Sequence, residues 1–308
     1  MASAILPPIN SPKNNNFKTE WERLIKEDTY PRFVRNVIKV KWSDFKQDII
    51  DQDPKVAKEI VENIYAGDAY ILQGAYTREF MDELKRKVFE WGQKTPAAFM
   101  KMVEGMTDHH RIVDENVSKN YSFESIRHIY YFVPWGTDPC KVVPTIYERI
   151  RVLKFLGGYD FDAYENFTPK DGIVDRVTLN QYPRGCGAIE THSDPYLFQR
   201  TIMGCKMNER GGGDFNEGGI YYVAKGGKEI DVEGEMKKGD MYISFPTLLH
   251  GVKKIDPGAE VNWNSINGRW FLGFYSAVSD MVPERHTGYG VEVKEGGQLR
   301  LKKTTKAS

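Results

Sequence analysis

The chain has 308 residues, with 43 lysines and arginines against 43 aspartates and glutamates, for a formal net charge of zero. That balance excludes a protein whose hold on nucleic acid rests on overall basic charge, because neutralising phosphates takes a cationic excess. An apolar share of 40% with 13% aromatic residues excludes a disordered chain, and no apolar run approaches the roughly 20 residues of a membrane helix.

Residues 1–16, rich in Pro, Asn and Ser, read as a flexible tail with no secretory pattern. FKTEWERLIKED (17–28) reads as an exposed helix and FVRNVIKVKW (33–42) as a strand. DPKVAKEIVENIYAG (53–67) carries a proline near its start and a glycine at its end, which punctuate a helix. DAYILQGAYT (68–77) is a short apolar strand. In TREFMDELKRKVFEWGQK (77–94), Phe80, Met81, Leu84, Val88, Phe89 and Trp91 fall at helical spacing. The stretch 95–140 is irregular. His109-His110-Arg111 reads there as a solvated loop, and Tyr130, Tyr131 and Phe132 as a core strand. A helix over 144–157 and a loop over 157–172 follow.

From 174 the texture changes to eight short β-rich runs: 174–182, 186–194, 196–208, 218–227, 228–234, 239–246, 248–256 and 268–278. Gly, Pro and Asp breaks separate them, as in a closed or sandwiched antiparallel sheet. The expected fold is α+β with a mainly β core, a double-stranded β-helix (jelly roll) over 173–280. The region 17–172 would pack on it and 281–308 would extend it. Cys140, Cys186 and Cys205, an odd number without a CxxC, form neither a disulfide framework nor a cysteine zinc site. A reducing, cytoplasmic setting is expected.

The chemistry points to His192 in THSD. On a strand, residues i and i+2 share a face, so His192 and Asp194 present an imidazole and a carboxylate side by side. His250, in LLHGV, is the candidate third ligand. A buried histidine is also a common core residue. Two histidines and one carboxylate with open positions, however, is the ligand set of non-haem Fe(II) oxygenases. Arg269 opens the strand RWFLGFYS and suits bidentate carboxylate binding. Asn180 and Tyr182 share one face of the strand before the THSD run.

Taken in order, N-x-Y-x-x-G, H-x-D, GGIYYV, KKGDMYISFP, H-G-V and R-W resemble the Fe(II)/2-oxoglutarate-dependent dioxygenases, closest to the prolyl- and phytanoyl-hydroxylase branch. The resemblance covers about residues 174–278. It implies Fe(II) on His192, Asp194 and His250, and the distal carboxylate of 2-oxoglutarate on Arg269. It implies further co-substrate contacts from Asn180 and Tyr182, with O2 as oxidant and succinate and CO2 as products. The long gap from His250 to Arg269 leaves Lys253, Lys254 and Arg200 as rivals, and suggests that 256–268 is an insertion over the site mouth. A carboxylate at 194, where related halogenases have a small residue, implies hydroxylation, desaturation or oxidative ring closure.

The substrate residues expected from pocket-forming segments are Arg127, Tyr130, Arg184, Tyr196, Phe198, Arg200, Trp263 and Asn264, with Arg111, His128 and Tyr131 beside them. The expected partner is a small polar metabolite, an amino acid or its derivative, with no nucleic acid and no membrane. The chain also resembles, without a discrete motif, the algal kainoid synthases, which close a pyrrolidine ring on an N-prenylated glutamate. A peptide hydroxylase, a non-oxidative cupin-like metalloenzyme and a jelly-roll binding module are the alternatives.

Overall fold

The computed structural model describes residues 6, 7, 9–26, 29–294 and 297–302. The first half holds α1 (Asn16–Ile25), β1 (Val37–Lys41), α2 (Trp42–Asp51), α3 (Pro54–Tyr65), β2 (Ala69–Gln73) and α4 (Arg78–Lys94). Next come β3 (His109–Val113), α5 (Glu115–Ser118), β4 (Ser125–Phe132) and α6 (Val143–Leu156). Local chemistry sets the helix starts. Asp53 accepts from the amides of Lys55 and Val56, with Pro54 at the first helical position, and Thr77 accepts from the amide of Phe80.

The eight expected strands then appear in order: β5 (Ile173–Tyr182), β6 (Ala188–Ser193), β7 (Ile202–Lys206), β8 (Gly219–Val223), β9 (Glu229–Asp231), β10 (Met241–Ser244), β11 (His250–Lys253) and β12 (Arg269–Val278). Strands β10, β7, β12 and β5 lie side by side in one wall, and β6, β11, β8 and β9 in the other. The chain thus crosses repeatedly from wall to wall, which is the winding of a double-stranded β-helix. β4 pairs with β5 through His128 and Gln181, and with β6 through Ser125 and Ile189, so it closes one side.

The first half does more than buttress this core. β1 and β2 pair in parallel and extend the first wall beyond β10, while β3 and β4 extend it beyond β5. Alternation divides that wall's side chains. Tyr130, Phe132, Leu179, Leu272 and Phe274 join one apolar cluster with Met81, Leu84 and Val88 of α4 and Ile146 and Ile150 of α6. Each large apolar side chain buried there contributes about 1.5–3 kcal/mol. The opposite face is left for the cavity.

Several expectations change. Within the described part of 1–16, the chain is docked. Leu6 packs on the core, the Pro7 carbonyl accepts from Arg151, and Ser11 Oγ accepts from the amide of Phe161. α2 starts at Trp42, directly where the strand read to 42 ends. His109 and His110 are buried in β3 instead of lying in a solvated loop. The last segment adds β13 (Tyr289–Val293) and β14 (Leu299–Leu301), and β13 pairs with β6.

Candidate metal centre and its cavity

β6 and β11 run antiparallel with His192 opposite His250, and the register slips between His250 and Val252. Asp194 follows β6, its amide bonded to the Pro246 carbonyl. The ligand-capable atoms of the three residues all lie within 4.8 Å of one another, and all three side chains are buried. His192 Nε2 is 3.8 Å from Asp194 Oδ1 and His250 Nε2 is 3.4 Å from Oδ2. Metal bonds of about 2.1 Å bring ligand atoms to such separations.

The tautomers also fit. His192 Nδ1 bonds to the Glu190 carbonyl at 2.9 Å, and His250 Nδ1 to the Leu248 carbonyl at 2.8 Å. A carbonyl only accepts, so each Nδ1 carries the hydrogen and each Nε2 is free to turn a lone pair on a metal. Asp194 Oδ2 is buried with no hydrogen-bond partner. A carboxylate oxygen orphaned in this way is costly unless a cation arrives. Phe123 stacks on the His192 ring at 4.6 Å and fixes its plane.

Burial lowers the His192 pKa to about 4, helped by the nearby His250. Burial acts against charge on His250 as well, but the Asp194 carboxylate overrides it and holds that pKa above the ordinary value. Burial would raise the Asp194 carboxyl, yet the two histidines keep it below the usual range. One anion between two imidazoles suits a divalent cation.

The triad opens into a cavity of about 580 Å³. Its floor is the inner face of the first wall. Arg111 of β3, Arg127 and Tyr131 of β4, Thr178, Asn180 and Tyr182 of β5, and Arg269 and Phe271 of β12 all line it. Arg269 stands opposite Tyr182, and Phe271 opposite Asn180. Gly268 sets this register. Its φ is +119°, and a Cβ there would meet the Tyr182 carbonyl oxygen at 2.3 Å.

Of the residues singled out in the sequence, His192, Asp194, His250, Arg269, Asn180, Tyr182 and Arg127 therefore share one cavity, with Arg111 and Tyr131. Others lie elsewhere. Tyr130 points out of the opposite face and stacks with Trp270 and His128, and His128 is bonded to His110. Arg184 pairs with Asp256 at 2.6 Å in a separate surface hollow. Phe198 and Arg200 line a different crevice beside α6, where Arg200 donates to the Tyr196 carbonyl. Tyr196 packs tilted against Tyr30 outside the cavity lining and touches one lining residue, His286, edge-on. Trp263 and Asn264 sit in 256–268. That loop packs behind the wall, where Gln181 donates to the carbonyls of Ser265 and Asn267. It does not cover the mouth. Of the rivals to Arg269, Lys253 pairs with Glu229 on the surface and Arg200 is spent as above; neither of them, nor Lys254, lines the cavity.

Three features were missed. Arg176 and Tyr275 face each other on β5 and β12 and line the cavity. Arg176 belongs to the same alternating series as Thr178, Asn180 and Tyr182, so the inward face could have been extended to it. Arg285, His286, Thr287 and Gly288 also line the cavity, from the strap that leads into β13. No motif marks that strap; only the pairing of β13 with β6 brings it there. Glu233, buried beside Arg269, is the third.

No protein-family model matches the chain, and no curated protein does. Among solved structures, it is similar to a Pseudomonas putida prolyl-4-hydroxylase, with a TM-score of 0.41 and 12% identity over 68% of this chain and 91% of that one. A full-length Neurospora crassa protein in complex with alpha-KG and thymine gives 0.46 and 12% over 89% and 95%. A Trichoplax adhaerens prolyl hydroxylase bound to a hypoxia inducible factor peptide fragment gives 0.46 and 14% over 78% and 91%. No helix among the described residues is long and apolar enough to cross a membrane.

Proposed function

We propose that this protein is an Fe(II)/2-oxoglutarate-dependent oxygenase that oxidises a C–H bond of a small anionic metabolite, an amino-acid derivative being the preferred class. One observation carries the reading. The His192, Asp194 and His250 cluster shares a single cavity with Arg269 and with three further guanidiniums, those of Arg111, Arg127 and Arg176. Among the described residues, Arg111, Arg127 and Arg176 make no ion pair, and the Nε of each is buried without a partner. Arg269 is paired with Glu233 and Arg285 with Asp280. A buried donor left unmade costs about 1–3 kcal/mol, and a cavity with excess positive charge draws anions.

His192, Asp194 and His250 would hold the iron, which when loaded with 2-oxoglutarate and O2 supplies the oxidising power and releases succinate and CO2. The chain's own residues do the rest. Arg269 receives the distal carboxylate of the co-substrate, with Tyr182 and Asn180 beside it. Arg111, Arg127 and Arg176 hold the carboxylates of the substrate on the same floor. Phe271, Tyr131 and Tyr275 keep the cavity dry. Burial pushes the Tyr275 hydroxyl far above its ordinary pKa, so it stays a neutral donor.

The strap over 285–288 and the loop carrying Met100, Met102 and Met106 roof the cavity. Asp280 links them: its carboxylate pairs with Arg285 and accepts the Met102 amide, and its own amide donates to the Met102 carbonyl. That roof favours a small guest over a protein chain. Hydroxylation, desaturation and kainoid-type ring closure all use this arrangement, and the substrate carbon held nearest the metal selects among them. Anaerobic titration with Fe(II) and 2-oxoglutarate tests the reading. A weak visible charge-transfer band is expected in wild type and absent from His192→Ala. A folded, metal-loaded protein without the band would instead be a cupin-like metalloenzyme in which Arg269 has no role.

A further inference from the structure

Arg269 does not stand free in the cavity wall. Its Nε donates to Glu233 Oε2 at 2.6 Å, and neither residue is more than 2% exposed. Among the described residues neither Nη atom of Arg269 donates a hydrogen bond, and the residue lines the cavity. Glu233 is itself held from three sides. Its Oε2 also accepts the Ile220 amide at 3.0 Å, Lys206 Nζ lies 3.3 Å from its Oε1, and the same Nζ donates to the backbone carbonyls of Glu233 and Met236. Gly219 makes the room. At φ +122°, a Cβ there would meet Glu233 Cγ at 2.3 Å.

We infer that Glu233 is a positioning residue for co-substrate binding: it takes the Nε of Arg269 and so turns the two Nη atoms toward the distal carboxylate of 2-oxoglutarate. The inference rests on the proposed function. The physical case is one of geometry and charge. An arginine side chain loses rotamer freedom on being fixed, and Glu233 imposes that loss before the ligand arrives. A guanidinium offers its five donors in a planar fork, so fixing Nε fixes the direction of both Nη groups. The anion on Glu233 is shared with Lys206, which leaves Arg269 with positive charge for a second carboxylate. Burial works against the charge on Arg269, but Glu233 outweighs it and the guanidinium stays charged.

The test compares two ligands of one metal site. 2-Oxoglutarate reaches Arg269 with its distal carboxylate; oxalate chelates a metal but has no distal group. Binding of each to metal-loaded protein under anaerobic conditions is followed by the visible band for 2-oxoglutarate and by calorimetry for both. Glu233→Ala is expected to weaken 2-oxoglutarate about tenfold or more and to leave oxalate within twofold. Glu233→Gln keeps an oxygen acceptor for Nε, and is expected to retain most of the affinity. Equal weakening of both ligands, or unchanged 2-oxoglutarate affinity in Glu233→Ala, would overturn the inference. If Glu233→Ala does not fold, Glu233→Gln and Glu233→Asp decide. A shorter acid that keeps the charge but loses more 2-oxoglutarate affinity than the amide supports positioning, and the reverse order refutes it. Wild type that binds oxalate but not 2-oxoglutarate would instead end the proposed function itself.

Discussion

Two buried histidine clusters, one on the helix-facing side of β3 and β4 and one between β6 and β11 at the cavity, are built differently. Around His110, His128 and Tyr130 every ring nitrogen is spent. His110 Nε2 donates to the Thr95 carbonyl at 2.7 Å, His128 Nε2 donates to His110 Nδ1 at 2.8 Å, and the Tyr130 hydroxyl donates to His128 Nδ1 at 3.1 Å. Burial lowers the pKa of both rings, and with both neutral only one tautomer assignment satisfies that chain. Around His192, Asp194 and His250 each ring spends Nδ1 on a carbonyl and keeps Nε2 for the cavity, and a carboxylate oxygen is orphaned between them. Residue type does not separate a site from a core network. Unspent lone pairs that converge do.

The largest expected effects come from breaking the open cluster. Asp194→Ala should abolish turnover, by about a thousandfold or more, because two neutral imidazoles alone hold a divalent ion weakly. A sharper check needs no activity. Adding metal at about 100 times its Kd should stabilise wild type by roughly 2.7 kcal/mol and Asp194→Ala hardly at all. His128→Gln should keep the metal-induced shift in melting temperature. A shift lost equally in both variants would erase the distinction between the clusters.

Next come the unpaired arginines. Arg176→Met deletes a charged donor facing the cavity, and should raise KM for the substrate tenfold to a hundredfold, as loss of a charge-assisted hydrogen bond of about 1.5–3 kcal/mol requires. The affinity for 2-oxoglutarate should stay within threefold. Stability should move the other way. Burial lowers the pKa of Arg176, with Arg285 adding to it, and Tyr131, Tyr275 and Asp280 offset only part, so Arg176→Met is expected to melt higher than wild type. A variant that melts lower with unchanged KM would make Arg176 a structural residue.

The closed cluster has its own signature, in pH. Burial lowers the His128 pKa to about 3. Between there and the ordinary value near 6.5 the unfolded chain takes a proton that the folded chain refuses. Its contribution is therefore complete above about pH 6.5, and is lost as pH falls, by about 1.4 kcal/mol per pH unit. His192 adds a slope of the same sign in metal-free protein, so the quantity to measure is wild type minus His128→Gln by urea unfolding at pH 7 and pH 5. No change in that difference would mean His128 is charged or exposed in the fold.

How legible all this was depends on where the signal sits. β5 to β12 were visible because short apolar runs alternate with Gly, Pro and Asp breaks, and His192, Asp194, His250 and Arg269 fall at strand positions whose faces follow from period two. β3 and β4 carry the same alternation, but charged and aromatic residues on the inward face masked it. Arg111 and Arg127 are inward residues of a floor, and in a sequence an inward arginine looks like an outward one. The strap before β13 reaches the cavity, and the Glu233 carboxylate reaches Arg269, through long-range contacts that no local pattern encodes. Tyr130 failed by one residue: its neighbours Ile129 and Tyr131 face the cavity, and it faces the helices.

The smallest effect is expected where the sequence placed substrate residues and the fold did not. Arg184→Ala removes one partner of Asp256, but Asp256 Oδ1 still accepts the amides of Asn216 and Glu217, so the loop from 256 keeps its anchor. The guanidinium is over a third exposed, and such pairs contribute about 1 kcal/mol or less. KM for both substrates should therefore change less than twofold, and Trp263→Ala should behave alike, since its loop is tied to the outward-facing Gln181. A tenfold rise in KM in either variant would bring 256–268 over the cavity mouth during turnover, and the roof would then have a third member besides the methionine loop and the strap.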